Sequence, residues 1–259
     1  MAYSMKFFFL TVFILLFLPY ISYSQEVKVG VKEILESEIT SLKYNSLLEP
    51  GEPFKVSFEL YNSGSIDYRA RVRLDIINQT NLYYTGWSEE KAIWPGSSGY
   101  FEVYWYPVNI TGSLEARVRI YYANDIKELK PIKFKITGIS KLEKDIEIID
   151  FKTYEDRIVV SLRSNEELKD IIIVPSGYPY GWIFEQSKIE KIGKDEEKKV
   201  EIKYEPTIWK ETEVMIHVFT EDGKYYTNKS FLMKKEESNV NILSYFIKIF
   251  KIFWLSPLF

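Results

Sequence analysis

The sequence predicts an all-β protein of two tandem immunoglobulin-like β-sandwiches, with a signal helix at the N-terminus and a hydrophobic, amphipathic helix at the C-terminus. Three observations carry that expectation. Apolar and polar residues alternate over short runs in both halves of the chain, the period of half-buried strands. Clusters of Pro, Gly, Asn and Ser separate the runs, as turns do. No helical pattern lies between them, which separates a sandwich from an α/β fold.

The elements follow in order. Lys6, the apolar run Phe7 to Leu18 broken only by Thr11, Pro19, and small residues at Ser22 and Ser24 predict that residues 1–24 are a secretory signal cleaved after Ser24, with an uncleaved anchor as the alternative. The run is shorter than the ~20 residues a membrane span needs. The chain has no Cys, which excludes lipid attachment and leaves each sandwich to hold by its core. Aromatic residues, 17% of the chain, can supply that core because each buried ring removes a large area from water.

In the first sandwich, 25–137, strands are expected at Val27–Ile34, Phe54–Tyr61, Tyr68–Ile77, Tyr100–Tyr106, Leu114–Tyr122 and Ile132–Ile136. The clearest is Phe54, Val56, Phe58 and Leu60 on one face against Lys55, Ser57 and Glu59 on the other, opened by Pro50-Gly51 and closed by Asn62-Ser63-Gly64. One wet face implies an antiparallel sheet. Thr137 to Lys141 reads as a short linker that limits the freedom of the two halves. In the second sandwich, 138–237, strands are expected at Ile146–Lys152, Arg157–Arg163, Leu168–Val174, Lys198–Tyr204, Glu213–Thr220 and Tyr225–Met233, with hairpin turns at Glu155-Asp156 and Glu221-Asp222-Gly223.

Residues 238–259 are apolar except for a stripe of Ser244, Lys248 and Lys251, spaced i, i+4 and i+7. The segment is expected to associate with a membrane, with Phe246, Phe250, Phe253 and Trp254 as the contacts. It either lies in the membrane surface or spans, although Val240 to Leu255 reaches only about 24 Å as a helix. Docking on protein is the remaining alternative.

Composition also narrows the function. A net charge of -3 with Lys and Glu interleaved lacks the clustered basic surface that nucleic acid requires. Abundant Lys, Glu, Ile and Tyr with little Gln and His lead to the expectation of a thermophilic, archaeal source. The single His217 sits inside an expected strand, and with no Cys and no second His it makes neither a zinc site nor a convincing triad. It is expected as a hydrogen-bonded strand histidine, and neither a cofactor nor a metal is expected. Carboxylates for glycoside hydrolysis are plentiful, but two small sandwiches seldom form the cleft. The chain therefore reads as non-enzymatic.

Two aromatic clusters are the candidate binding residues: Tyr178, Tyr180 and Trp182 in one loop, and Tyr83, Tyr84 and Trp87 in another. Exposed, the rings would stack on sugars or on a partner; buried, they would plug the ends of their own sandwiches. Trp94, Tyr104 and Trp105 are expected in the core. Asn78, Asn109 and Asn228 open Asn-x-Ser/Thr sequons, which carry glycans in a suitable exported host or are chance matches.

The stretch Pro50-Gly51-Glu52-Pro53-Phe54 through Gly64, echoed by Ile93-Trp94-Pro95-Gly96 and then Tyr100 to Pro107, resembles the cell-adhesion-related domain family, CARDB, over about residues 45–137. The acidic, Asn-rich motif with which members often end is present only as a fragment, Tyr121 to Glu128. A weaker likeness in 142–235, carried by Tyr178-Pro179-Tyr180-Gly181-Trp182 and Ile192 to Ile202, is to the NEW-type domains that accompany secreted glycosidases. Both resemblances imply extracellular immunoglobulin-like modules, and neither implies a catalytic activity. The expectation is an exported protein on the extracellular face of the cell membrane, a structural or adhesion-type module whose partner is an envelope protein or, alternatively, a glycan.

Overall fold

The computed structural model describes residues 32–139 and 145–234, and its strands fall in the compact unit that begins at Ile34. In chain order they are β1 (Ser37–Tyr44), β2 (Leu47–Leu48), β3 (Phe54–Asn62), β4 (Tyr68–Asn78), β5 (Asn81–Trp87), β6 (Lys91–Ile93), β7 (Ser98–Trp105), β8 (Gly112–Tyr122), β9 (Asp125–Glu128) and β10 (Ile132–Ile136). There follow β11 (Ile146–Thr153), β12 (Arg157–Ser164), β13 (Leu168–Ser176), β14 (Ile183–Phe184), β15 (Ser187–Ile192), β16 (Glu197–Glu205), β17 (Thr212–Thr220) and β18 (Tyr226–Met233). The described residues are all-β, and no helix among them is long and apolar enough to cross a membrane. The expected signal, 1–24, and the expected membrane segment, 238–259, lie outside them.

A three-stranded sheet, β1-β3-β7, lies against a seven-stranded one, β2-β10-β8-β4-β5 with β6 on β4 and β9 on β8. The alternation expected of Phe54 to Leu60 holds: Phe54, Val56, Phe58 and Leu60 are wholly buried. They meet Leu74 and Ile76 of β4, Val118 and Ile120 of β8, and Phe134 of β10. Phe54 and Phe134 stack across the gap with centroids 4.1 Å apart. Each such side chain contributes about 1.5–3 kcal/mol of burial, a source of stability that needs no disulfide. The Pro-Gly pairs turn as expected, closed by Glu52 N–H to Glu49 O (3.1 Å) and Ser97 N–H to Trp94 O (3.0 Å).

The second pair of sheets is β11-β12-β16-β14 on β15-β13-β17-β18. Ile158, Val160, Leu162, Val200 and Ile202 face Ile171, Ile173, Val214, Ile216 and Val218. Phe151 of β11 stacks on Phe231 of β18 at 4.3 Å and closes one side.

The structure differs from expectation in instructive places. Of the strand expected at Val27–Ile34, only 32–34 are described and they are not in a strand; the first strand is β1, a mostly exposed edge whose pairing with β3 is bulged at Ser41 and Leu42. β5 and β15 were also not expected; β15 carries only weak alternation. The outer face of β4 is not wet throughout, because Arg73 and Asp75 are buried. β13 explains part of this. All of Ile171 to Val174 is buried, which in an antiparallel sheet requires cover on both faces. Ile171 and Ile173 fill the second core, while Ile172 and Val174, with Phe219 and Tyr226, join the core of the first sandwich.

Candidate functional site: the aromatic junction of the two sandwiches

The junction is built from backbone contacts and from side chains that replace backbone. Glu185 and Gln186 run beside the end of β5: Trp87 and Glu185 form a parallel bridge, and Gln186 N–H donates to Trp87 O (2.9 Å). The buried Gln186 amide then acts like a strand partner for Tyr104, accepting its N–H (2.8 Å) and donating to its carbonyl (2.7 Å) and to Tyr84 Oη (2.7 Å). Tyr106 Oη donates to Gly223 O (3.0 Å) while its ring stacks on Tyr226. The closest approach is at Gly223, in the β17–β18 turn. A Cβ there would stand 1.8 Å from Gly51 O, and the residue has φ +72°. Only glycine satisfies both conditions.

Charge surrounds this apolar seam. Lys55 pairs with Glu102 and with Glu221 (2.6 Å), and Lys188 reaches Glu221 at 2.6 Å. Burial works against the charge on Glu221, but the hydrogen bonds from Lys188 and Lys55 outweigh it and hold the carboxyl below its usual range. Arg71 bridges Glu90 of the first sandwich (2.7 Å) and Glu205 of the second (3.0 Å). Glu185 behaves oppositely. Burial pushes its carboxyl up, opposed by the hydrogen bond from the Glu90 N–H (3.2 Å).

The two aromatic clusters named from the sequence meet here. A cavity of about 190 Å3 is lined by Tyr83, Tyr84, Tyr178, Tyr180 and Trp182, together with Arg73, Leu82, Thr85 and Ser176. The rings do not form one open platform. Tyr180 is 75% exposed and Tyr83 49% exposed, whereas Trp182 is 2% exposed, and Tyr84 and Trp87 are each 5% exposed.

Local structure explains the split. Pro179 to Trp182 is a tight turn closed by Trp182 N–H to Pro179 O (3.1 Å), with Gly181 at φ +93°. The turn throws Tyr180 outward and returns Trp182 to the core. There Trp182 stacks on Trp209 (5.3 Å) and Tyr204 (6.2 Å), and its indole N–H donates to Ile208 O (3.1 Å). Tyr178 donates its hydroxyl to Thr85 O across the junction (2.8 Å). The supposed loop of Tyr83, Tyr84 and Trp87 is strand β5, whose alternation sends Tyr83 out and Tyr84 in. Tyr104 and Trp105 are buried as expected, but Trp94 is a correction: it stands on the corner of its turn, 64% exposed.

Arg73, Ser176 and Gln186 were not singled out in the sequence. Arg73 belongs to the alternating Arg series of β4, and nothing distinguishes it there. In the fold its Nε donates to Asp75 (2.9 Å), which also accepts from Arg119 (3.0 Å) and from Thr85 Oγ1 (2.7 Å). Its guanidinium lies 4.6 Å from the Tyr180 ring centroid and 5.6 Å from that of Trp87, within cation–π range.

His217 is hydrogen-bonded inside β17. Its Nδ1 is 2.7 Å from Tyr226 Oη and its Nε2 is 2.7 Å from Ser176 Oγ, while Asn228 Nδ2 donates to Tyr226 Oη (2.8 Å). Either ring tautomer satisfies both contacts; in the one where Tyr226 donates to Nδ1 and Nε2–H donates to Ser176, the Ser176 hydroxyl hydrogen can turn to another acceptor. Burial pushes the His217 imidazole down to about 4, which keeps it neutral.

Asn78 ends β4, Asn109 is exposed in the β7–β8 connection, and Asn228 is exposed within β18 with its Nδ2 engaged by Tyr226. The expected membrane contacts Phe246, Phe250, Phe253 and Trp254 lie outside the described residues. Among the described residues, no group of three or more His, Cys, Asp or Glu is placed to hold a metal ion.

No protein-family model matches the chain, and no curated protein matches it. Among solved structures, part of it is similar to the alkylpurine DNA glycosylase AlkC of Pseudomonas fluorescens bound to DNA containing an abasic site analog. That match has 13% identity and a TM-score of 0.31, and covers 40% of this chain and 31% of the glycosylase. Part is also similar to the CARDB domain of a Pyrococcus furiosus protein in complex with di-metal ions. Here the identity is 16% and the TM-score 0.30, covering 40% of this chain and 89% of that domain. This chain thus spans about a third of the glycosylase, and at such similarity neither neighbour lends it an activity.

Proposed function

We propose that this is a non-enzymatic, exported cell-envelope protein. In this reading a CARDB-like, immunoglobulin-like sandwich and a second sandwich form one stiff interaction module, held at the extracellular face of the membrane by the C-terminal segment. The observation that carries it is the junction. Gln186 replaces a strand for Tyr104, and Gly223 abuts the Gly51 carbonyl. The two sandwiches therefore present their surfaces at a set angle, as a scaffold must, rather than swinging on a linker.

The test is fractionation of host cells followed by crosslinking on intact cells. The full-length protein is expected in the membrane fraction, crosslinked to an envelope protein. Truncation after Ser238 should release it while the rest stays folded. Recovery of the full-length protein from the cytosol would overturn the proposal.

Glycan binding is a second reading. It is favoured by the convergence of Tyr83, Tyr84, Tyr178, Tyr180 and Trp182 on one cavity. Ring faces beside hydroxyl and guanidinium donors suit a sugar.

A further inference from the structure

We infer that the junction cavity takes one acidic sugar residue, a hexuronate or a similar carboxylated ring of an envelope glycan, with its carboxylate directed at Arg73. The inference rests on the glycan reading above and narrows it to a charge class.

The lining determines the class. Among the described residues around the cavity, Arg73 alone is charged, and no carboxylate stands beside it in the wall. Asp75, behind the wall, serves both Arg73 (2.9 Å) and Arg119 (3.0 Å), and Glu128 reaches only Arg119 (3.3 Å). Two carboxylates thus answer two guanidiniums, and of these four groups it is Arg73 that stands in the cavity wall. Asp75 and the rings of Trp87 and Tyr180 also fix the guanidinium in place, so no side-chain freedom is lost when an anion arrives.

Ser176, Thr85 and the tyrosines bring hydroxyl groups to the same wall. Ser176 Oγ is held 2.7 Å from His217 Nε2, and where that nitrogen carries the proton the Ser176 hydroxyl can donate to a ligand. The Arg73 guanidinium is a donor only and charged, which a carboxylate matches better than a neutral hydroxyl does.

Size and shape agree. At about 190 Å3 the cavity falls below the ~300–1,000 Å3 typical of drug-sized ligands and is suited to one ring. The exposed faces of Tyr180 and Tyr83 flank the entrance and can stack on neighbouring sugars. Leu82 is the one aliphatic side chain in the described lining, where a protein-binding pocket would carry more.

The test is calorimetric titration of the full-length protein with a glucuronate-terminated oligosaccharide, its glucose-terminated counterpart and an acidic peptide, at low and high salt. The acidic oligosaccharide is expected to bind about ten-fold more tightly than the neutral one, with the preference shrinking at high salt. Tyr180→Ala should weaken both sugars, while Arg73→Gln should remove only the preference. If Arg73→Gln fails to fold, the salt dependence of the unmodified protein and Ser176→Ala, which should lower the preference, decide instead. Equal binding of the two sugars overturns the acidic class and leaves the glycan reading standing. No binding of either sugar overturns both. Tighter binding of the acidic peptide than of the acidic sugar assigns the cavity to a protein partner and overturns the inference.

Discussion

His217 and Glu185 make opposite contributions to acid stability. His217 has a folded value of about 4 against ~6.5 for a free imidazole. Its neutral form is favoured in the fold, so its contribution is complete above pH ~6.5 and is lost as pH falls toward 4. Replacing it with Gln should flatten the decline of Tm across that window, with circular dichroism as the readout; an unchanged slope would show that other groups dominate. Glu185 is raised by burial. Its penalty is absent while the carboxyl is protonated in both states, and appears as pH rises through the folded value. Glu185→Gln should therefore raise Tm at pH 7 by roughly 2–4 °C and lose that gain in acid. Neither effect is written in the sequence. A lone His in an apolar strand and a Glu after Phe184 look ordinary until the second sheet covers them.

At the scale of the element, one turn separates an exposed ring from a buried one. Trp182 and Tyr180 are two residues apart, yet Trp182→Ala should cost about 3–5 kcal/mol. Tyr180→Ala should cost less than about 1 kcal/mol, the worth of an exposed cation–π contact. Urea denaturation of both variants checks the pair; similar losses would mean that Tyr180 is structural. The alternating strands β3, β8 and β16 were legible because polar residues alternate with the buried apolar ones, although in β3 the polar face is itself half-buried and Ser57 is buried. In β5 Asn81 opens the aromatic run and Gly86 interrupts it, so a strand is hard to see there in the sequence. The burial of β13 on both faces was visible as four consecutive apolar residues, but nothing in the chain said what would cover the second face.

At the scale of the molecule, the junction contacts predict that the two sandwiches unfold as one cooperative unit. Gly223→Val should be among the most damaging single substitutions, because it meets backbone at Gly51 and has no side chain to displace. Increased protease cutting between 137 and 146 and two separable unfolding transitions are the expected signs, where the native protein should show one transition. Expressing the second sandwich alone should expose Ile172, Val174, Phe219 and Tyr226 and lead to aggregation, measured by light scattering. The sequence made the two sandwiches legible but not this dependence, because the contacts join residues far apart in the chain, 82 positions for Tyr104 and Gln186 and 117 for Tyr106 and Gly223.

The meeting of Gly51 and Gly223 also has a mechanical meaning. Side chains bend, and a joint made of them yields gradually. Here a carbonyl bears on a Cα with no room between them, beside hydrogen bonds from Gln186 that lie in parallel. Load applied across the pair is shared by these contacts at once. Under tension in an optical trap, the two sandwiches should hold their angle up to a threshold force and then part in a single step, behaving as a strut rather than a hinge.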